Sequence, residues 1–419
     1  MSLSTPDGTV PPEIPGTILG RLPIQAQIKR LWQSETGLGP ILIGLAALIL
    51  YFYIRSSVFL SAGNITNLFI QATIFILLGM AEIWLLLMGD IDLSIGYSAG
   101  IGGAIAVILT STTHHWPFWV ALPLGVLACV GISTAWGLLC VYLRLPSFIV
   151  TLAGQIGLLG VLLYLIDSQG NTGGALPVQE RVLYDLVNAD LTPFVTWVVI
   201  LAAIGVLSLM ILRGDQRRRS AGLEAKPTWL TITKIVLLVG AGIWLILVFN
   251  TDRSHFTVLE GMPVAIPIDL GVLALATFIL TKTRAGRYVY AIGGNVEAAR
   301  RAGINVNRYR ILAFTMSGAI TGIAGLLYVS RLGGISTGIE GGQYVLYAVA
   351  AAVIGGTSLF GGRGKMIHAV IGGLVIATID NGMALINVSA AGLYMVTALV
   401  LLAAVIVDSV ARRGASTIV

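Results

Sequence analysis

Four carboxylates stand in or between long apolar stretches, where a charged side chain is costly. Glu82 and Asp380 lie within apolar runs, and Asp90 and Asp92 stand in the segment GDIDLS. Ionisable groups at membrane depth usually face a transport pathway or pair with one another. Asn381, next to Asp380, adds a polar neighbour. The sequence therefore predicts that these five residues lie along a translocation pathway.

Asp90 and Asp92 also have a plainer interpretation. Together with Ser94 they precede an apolar segment, a position where side-chain oxygens accept hydrogen bonds from the first amide groups of a helix. The alternative is a broken helix beside the pathway, since irregular backbone in a bilayer is tolerated only where protein covers it or water reaches it. A helix cap and a broken helix beside the pathway both remain open, and the second adds Ser94 to the predicted pathway residues.

Polar side chains without charge also allow two roles inside apolar segments. Gln155 is one of them, and Asp380 with Asn381 shares the ambiguity. A neutral solute needs hydrogen-bonding partners along its route but no counter-charge, so Gln155 is a further pathway candidate. The same side chains can instead bond neighbouring helices to each other.

Composition determines which elements must position these residues. Hydrophobic residues make up 56% of the 419 residues, charged residues 11%, and the mean hydropathy is +0.91. Such a chain cannot bury its apolar surface in one water-soluble core. We predict an all-α polytopic membrane protein with about twelve transmembrane helices, within a range of about ten to twelve. The apolar segments cover residues 39–55, 72–89, 94–111, 117–142, 147–166, 194–212, 229–249, 265–281, 311–330, 343–361, 366–387 and 390–410.

The basic residues indicate how these spans are oriented. When the spans alternate in direction, the basic connections fall on one side, which the positive-inside rule makes cytoplasmic. We predict a transmembrane domain over 39–410 with cytoplasmic tails at 1–38 and 411–419. The net charge of +6 thus indicates contact with the lipid bilayer, not with nucleic acid. The basic connections contain Arg144, residues 213–228, residues 282–310, Arg363 with Lys365, and Arg412 with Arg413.

The connection over 282–310 is the most basic part of the chain. Its seven basic residues are Lys282, Arg284, Arg287, Arg300, Arg301, Arg308 and Arg310. In the simplest interpretation it is a solvated linker whose charges only set the orientation. A second interpretation follows from signals for a short helix over 296–302. These are an N-cap residue, an acid in the first turn, bases in the last turn and a closing glycine, namely Asn295, Glu297, Arg300, Arg301 and Gly303.

Motifs for cofactors are missing from the sequence. The segment GGRGKM at 361–366 lacks the Ser or Thr after Lys365 and the earlier glycine of a phosphate-binding loop. Cys129 and Cys140 lie in one apolar block, and the His114–His115 pair has no further ligand nearby. We predict no cofactor and no metal in this chain, with any ATP and Mg bound by a partner.

Five motifs together resemble a known family. They are GDIDLSIG (89–96), RLPSFIVTLAG (144–154), AIGGNVEAARRAGIN (291–305), VIGGTSLFGG (353–362) and IDNGM (379–383). In this order and spacing they are similar to the permease subunits of bacterial ABC importers for sugars, of the ribose and xylose type. The resemblance covers roughly residues 60–410 and includes an EAA-type coupling segment.

The resemblance implies a fold, partners and a site. It implies the ABC importer permease fold, a homodimer of this chain, a separate ABC ATPase, and a periplasmic or extracellular lipid-anchored sugar-binding protein, all at the cytoplasmic (inner) membrane. It also implies that the short helix docks on the ATPase. The coupling residues would be Asn295, Glu297, Ala298, Ala299, Arg300, Arg301 and Gly303.

The cargo remains less defined than the mechanism. The basic segment 213–228 and the added span that follows are similar to an insertion of xylose-type permeases, which favours D-xylose or another pentose. Ribose, galactose or branched-chain amino acids are the alternatives within the same mechanism. An ion-coupled secondary transporter, with the intramembrane acids as its ion groups, is the alternative from another class.

A weak internal duplication complicates the helix count. MGDIDLSIG (88–96) and IGGTSLFGG (354–362) each follow an apolar segment and begin another. A true repeat would make the segment near 90–110 re-entrant instead of spanning, and the sequence leaves this open.

Overall fold

The chain is largely helical, as predicted. The structure, a computed structural model, describes residues 38–170, 174–222, 228–253, 258–389, 391–400 and 402. Within these ranges, eight helices are long and apolar enough to cross a membrane, and four shorter apolar helices accompany them. The prediction of an all-α polytopic membrane protein is confirmed. Most of the two predicted tails lies outside the described residues.

The helices and strands are numbered here in chain order. They are α1 (Leu38–Arg55), α2 (Ala62–Leu86), α3 (Ile95–Leu109), α4 (Phe118–Tyr142), α5 (Ser147–Asp167), β1 (Ala175–Pro177), α6 (Arg181–Asn188), α7 (Pro193–Ser220), α8 (Thr228–Phe249), α9 (Ala265–Lys282), α10 (Arg284–Gly294), α11 (Val296–Arg301), α12 (Val306–Leu332), β2 (Gly334–Ser336), α13 (Gly341–Ile354), α14 (Met366–Leu385) and α15 (Ala391–Val400).

Chain contacts divide the molecule into two compact units. Among the described residues, one unit comprises Leu201–Ile243, and the other comprises Leu38–Ile200 with the chain from Trp244 onward. In the first unit α7 remains helical to Ser220, so the predicted basic loop is shorter than 213–228. All features described below belong to the second unit.

Helix α2 forms the centre of the core and begins ten residues earlier than predicted. Ser61 caps it by accepting a hydrogen bond from the Asn64 amide at 3.3 Å. The Asn64 side chain donates to Asn381 Oδ1 of α14 at 2.9 Å and to Phe59 O at 2.8 Å. Because partners inside the protein satisfy this polar side chain, it can enter a buried helix.

Helix α3 is short and buried on every side. Its 15 residues extend about 22 Å, less than the roughly 30 Å of a bilayer core. It packs against α12, α4, α5 and α13. Glycines allow the closest of these contacts, since a Cβ on Gly325 of α12 would lie 2.1 Å from Ala99 O of α3.

The connections gather at two opposite ends of the helices. One group, which we call the basic end, comprises residues 87–94, 143–146, 283–305 and 355–365. The other, the hairpin end, comprises residues 110–117, 168–192, 250–264 and 333–340, without the undescribed 171–173 and 254–257. At the hairpin end β1 pairs antiparallel with β2, and Thr112 N donates to Gln179 Oε1 at 2.6 Å. Helix α3 begins against the first turn of α13, where a Cβ on Gly96 would lie 2.0 Å from Gly341 O, and it ends at the hairpin end.

Candidate functional site

The connection between α2 and α3, residues 87–94, is a helix break that neighbouring elements hold in place. Ile91 N donates to Ser147 Oγ at 3.3 Å and Leu93 N to Thr151 Oγ1 at 3.0 Å, both on α5. Leu87 O accepts from Gly362 N at 3.0 Å. The motifs GDIDLSIG, RLPSFIVTLAG and VIGGTSLFGG, which lie far apart in the sequence, therefore meet at this break.

Two buried carboxylates organise the inner side of the break. Glu82 Oε1 accepts from Asp92 N at 3.2 Å, and both side chains are 0% exposed. Asp92 Oδ1 accepts from Ser94 N at 2.8 Å and from the Ser94 hydroxyl at 2.6 Å. Ser94 Oγ in turn accepts from Trp136 Nε1 at 3.0 Å. Asp92 thus binds the start of α3, as one interpretation predicted, while Ser94 makes no side-chain cap of its own.

Asp90 has a different role from its neighbour. Arg310, in the first turns of α12, donates to it through Nε at 2.7 Å and through Nη2 at 2.5 Å. The Asp90 side chain is 6% exposed and that of Arg310 is 26% exposed. Such a two-point pairing fixes the relative orientation of both groups. Asp90 therefore ties the break to α12 and does not cap α3.

Helix α11 projects from the same end of the molecule. Asn295 Oδ1 accepts from Ala298 N at 2.9 Å, Gly303 has a φ of 78°, and Ile304 N donates to Ala299 O at 3.0 Å. The helix has the predicted cap and the predicted glycine terminator, and it ends at Arg301 instead of 302. Only Ala299 among its six residues is buried. Glu297 pairs with Arg300 at 3.0 Å, and both side chains are exposed.

The segment before α11 is a helix and not the plain connection that was predicted. Thr283 caps α10, which buries Gly286, Val289 and Ile292. Burial raises the pKa of the Tyr290 hydroxyl to about 12, and this hydroxyl donates to Gly364 O at 2.6 Å. At Gly293 a Cβ would lie 1.8 Å from Leu87 O, so α10 rests directly on the break.

The two flanks of α11 are therefore both attached to the helix break. Gly293, two residues before the Asn295 cap, contacts Leu87, and Arg310 in α12 binds Asp90. A displacement of the exposed helix would bear on the break through both contacts. Both flanks of the exposed helix thus contact the break that contains the buried Asp92.

The remaining predicted pathway residues lie elsewhere. Asp380 and Asn381 stand near the hairpin end of α14. Asn381 bonds Asn64, while Asp380 Oδ1 accepts from the Tyr347 hydroxyl at 3.5 Å. Gln155 is half-buried on α5 and lies close to Gly342 of α13. A Cβ added at Gly342 would lie 3.1 Å from Gln155 Nε2. These three residues are not part of the break, so the seven predicted pathway residues fall into two groups.

Three features escaped the sequence reasoning. Asp269 on α9 is 7% exposed, and neither of its oxygens has a hydrogen bond among the residues that the structure describes; an acid within an apolar run was a visible signal. Arg310 was predicted only to orient the chain. Arg253 pairs with Asp190 at 2.6 Å at the hairpin end. There burial raises the pKa of the Asp190 carboxyl, and the Arg253 guanidinium opposes that rise.

Buried apolar helices joined by two sets of connections, with an exposed capped helix at one end, define a polytopic membrane protein. The family model described as branched-chain amino acid transport system / permease component matches residues 64–405. The chain belongs to this permease family. It is a component of a transport system and not an enzyme, and such permeases of ABC importers work with a separate ATPase and a substrate-binding protein.

Curated relatives align with most of the chain. The xylose transport system permease protein XylH of Escherichia coli (strain K12) is 34% identical over 382 residues, 88% of this chain and 90% of that protein. XylH of Haemophilus influenzae is 35% identical over 376 residues, 88% of this chain and 95% of that protein. The ribose import permease protein RbsC of the same species is 30% identical over 366 residues, 87% of this chain and 91% of that protein. No solved structure matches the chain.

Proposed function

We propose that this chain is the membrane permease of an ATP-driven importer for a monosaccharide, with D-xylose or another pentose as its cargo. The similarity to xylose permeases over 88% of the chain carries this proposal. The ribose and allose permeases among the relatives support a sugar as the class of cargo. Ribose and galactose are the neighbouring candidates, and branched-chain amino acids are the candidate that the family description suggests.

The attachment of α11 to the break supports a mechanism for coupling. In this mechanism α11 docks on the partner ATPase, which binds ATP and Mg. An ATPase can shift the permease between two states only by contacting them differently, and an exposed helix with fixed ends suits that purpose. Its displacement reaches the break through Gly293 and through the pair of Arg310 with Asp90. Opening and closing of the pathway near Glu82, Asp92 and Ser94 would follow.

The distribution of charge supports an orientation in the cytoplasmic (inner) membrane. Exposed arginines cluster on α11 and its neighbours, at the basic end. The buried Arg253 of the hairpin end is neutralised by Asp190. By the positive-inside rule the basic end and both termini are cytoplasmic. The hairpin end then receives a periplasmic or lipid-anchored sugar-binding protein. A second copy of the chain completes the transporter as a homodimer.

Uptake into proteoliposomes that contain the permease, its ATPase and its binding protein tests the function. With ATP inside and ionophores present, labelled D-xylose should accumulate, and unlabelled pentoses should compete better than hexoses or leucine. Competition by leucine alone would show that the cargo is an amino acid and not a sugar. Uptake that persists without ATP and collapses with the ion gradient would contradict the proposal and favour ion-coupled transport.

A further inference from the structure

A cluster of aromatic rings lies between the middle of the helices and the hairpin end. Phe75 of α2, Tyr328 of α12, and Tyr344 and Tyr347 of α13 form it. The ring centroids of Phe75 and Tyr347 are 5.0 Å apart, and those of Tyr328 and Tyr344 are also 5.0 Å apart. Phe75 and Tyr344 lie 5.9 Å apart with their ring planes inclined by 37°. Three separate helices thus contribute rings to one group, in which Tyr344 is half-buried and the other three residues are buried.

Polar groups with spare bonding capacity border these rings. The Tyr347 hydroxyl reaches Asp380 Oδ1 only at 3.5 Å, which is the long limit for a hydrogen bond. The Gln343 side-chain amide group bonds the same hydroxyl. Gln343 Oε1 is buried without a hydrogen-bond partner among the described residues. A buried acceptor left without a donor is unfavourable, and a ligand that supplies hydroxyl groups would correct this.

The cluster lies between an open rim and the start of α3. On its outer side stand the half-buried Arg331 and the exposed Glu340, whose Oε1 accepts from the Tyr394 hydroxyl at 3.3 Å. On its inner side Tyr328 and Tyr344 line a cavity of about 10 Å³ that reaches Gly96 of α3. Gly96 lies two residues beyond Ser94 of the helix break. The cluster therefore stands on a line from the hairpin end towards the break.

The short helices α3 and α13 begin against each other beside this cavity. A Cβ on Gly96 would lie 2.0 Å from Gly341 O, so the first turns of both helices touch through their backbones. Helices that begin inside the membrane often surround transport sites, because their first amide groups remain available for polar ligands. The rings of Tyr344 and Tyr347 stand one to two turns into α13.

We propose that Tyr344, Tyr347, Gln343 and Asp380 form a sugar-binding site within the permease, closed in this structure. The site deepens the proposed function and rests on it. The apolar CH face of a neutral monosaccharide would stack on the Tyr344 ring. The hydroxyl groups of the sugar would donate hydrogen bonds to Asp380 and to Gln343 Oε1, and one of them would accept a hydrogen bond from the Tyr347 hydroxyl. The adjoining cavity of about 10 Å³ holds no more than one water molecule, so the rings must move apart to admit the sugar.

Conservative variants can separate sugar contact from packing. Tyr347→Phe removes a hydroxyl and Asp380→Asn removes a charge, and both keep the shape of the side chain. Tyr51→Phe serves as the control, because Tyr51 forms a similar edge-on ring pair with Phe52, at 5.2 Å on α1, away from the cluster. Each complex is measured at saturating sugar-loaded binding protein, both for uptake of labelled D-xylose and for stimulated ATP hydrolysis.

We expect at least tenfold slower uptake for Tyr347→Phe and for Asp380→Asn, with stimulated ATP hydrolysis within twofold of wild type. The Tyr51→Phe control should match wild type in both measurements. Uptake at the wild-type rate in both cluster variants would show that these side chains only pack the core, and it would overturn the proposed sugar site. Equal losses of uptake and of ATP hydrolysis would assign these residues to coupling, and would also overturn it. A wild-type complex that transports no sugar would instead refute the proposed function.

Discussion

Helix α11 and the helix break differ in what holds them, although they lie at the same end of the molecule. The exposed helix is defined by contacts within a few residues, such as Asn295 with Ala298 and Gly303 with Arg300. The break is buried and is defined by partners distant in the chain, such as Arg310 for Asp90, 220 residues away. The exposed element is therefore accessible to a partner, whereas distant parts of the chain hold the buried element in place.

The largest effect should follow from separating the pair of Asp90 and Arg310. Removing one member of a fully buried ion pair typically costs about 3–5 kcal/mol, because the other charge is left without compensation; Arg310 is 26% exposed, so this is the upper bound here. Asp90→Asn or Arg310→Gln should therefore lower the thermal stability of the purified permease sharply and abolish transport. The double variant should recover much of the stability, since no uncompensated charge remains. Equal melting temperatures for single variants and wild type would contradict the role of the pair.

Two adjacent glycines allow a matched test of how α10 rests on the break. A Cβ on Gly293 would lie 1.8 Å from Leu87 O, whereas a Cβ on Gly294 would meet nothing within 4 Å. Overpacking of this kind costs about 1–3 kcal/mol. We expect Gly293→Ala to lower both the melting temperature and ATP-driven uptake, and Gly294→Ala to behave as wild type. Identical behaviour of the two variants would show that the contact between α10 and the break is unimportant.

A smaller effect should follow at the end of α11. Gly303 has a φ of 78° and free space around it, so a substitution there introduces backbone strain and no collision. Gly303→Val should cost about 1–2 kcal/mol locally and reduce co-purification of the ATPase. Gly303→Asn is the control, because asparagine tolerates this conformation better than other residues. If valine and asparagine retained the ATPase equally well, the shape of the helix terminus would not matter for docking.

The smallest change in stability should come from Glu297→Lys. Its pair with Arg300 is exposed, and exposed pairs contribute about 0.2–1 kcal/mol. The folded permease should therefore remain nearly as stable as wild type while binding of the ATPase weakens, because the charge at the docking surface is reversed. Melting temperature and ATPase co-purification, measured on the same preparation and beside Glu297→Gln, separate the two effects. Unchanged co-purification would remove Glu297 from the docking surface.

The contrast between local and long-range contacts also explains which features could be predicted from the sequence. The spans, the short helix and its glycine terminator follow from local signals, and the structure contains them. The pairing of Asp90 with Arg310 and the meeting of three motifs at the break depend on chain topology, which no local signal contains. The predicted span left out the first ten residues of α2, where Asn64 is buried through its bond to the distant Asn381. The coupling and pathway roles remain predictions that experiments must decide.

Uptake and ATP hydrolysis, measured side by side in the same proteoliposomes, test the central claim most directly. The complexes to compare carry Asp90→Asn with Arg310→Gln in one case and Glu297→Lys in the other. We expect the first complex to retain its ATPase and to hydrolyse ATP without accumulating sugar, whereas the second binds its ATPase less tightly. Uptake in proportion to ATP hydrolysis in the double variant would contradict the transmission of movement from α11 through the ion pair to the helix break.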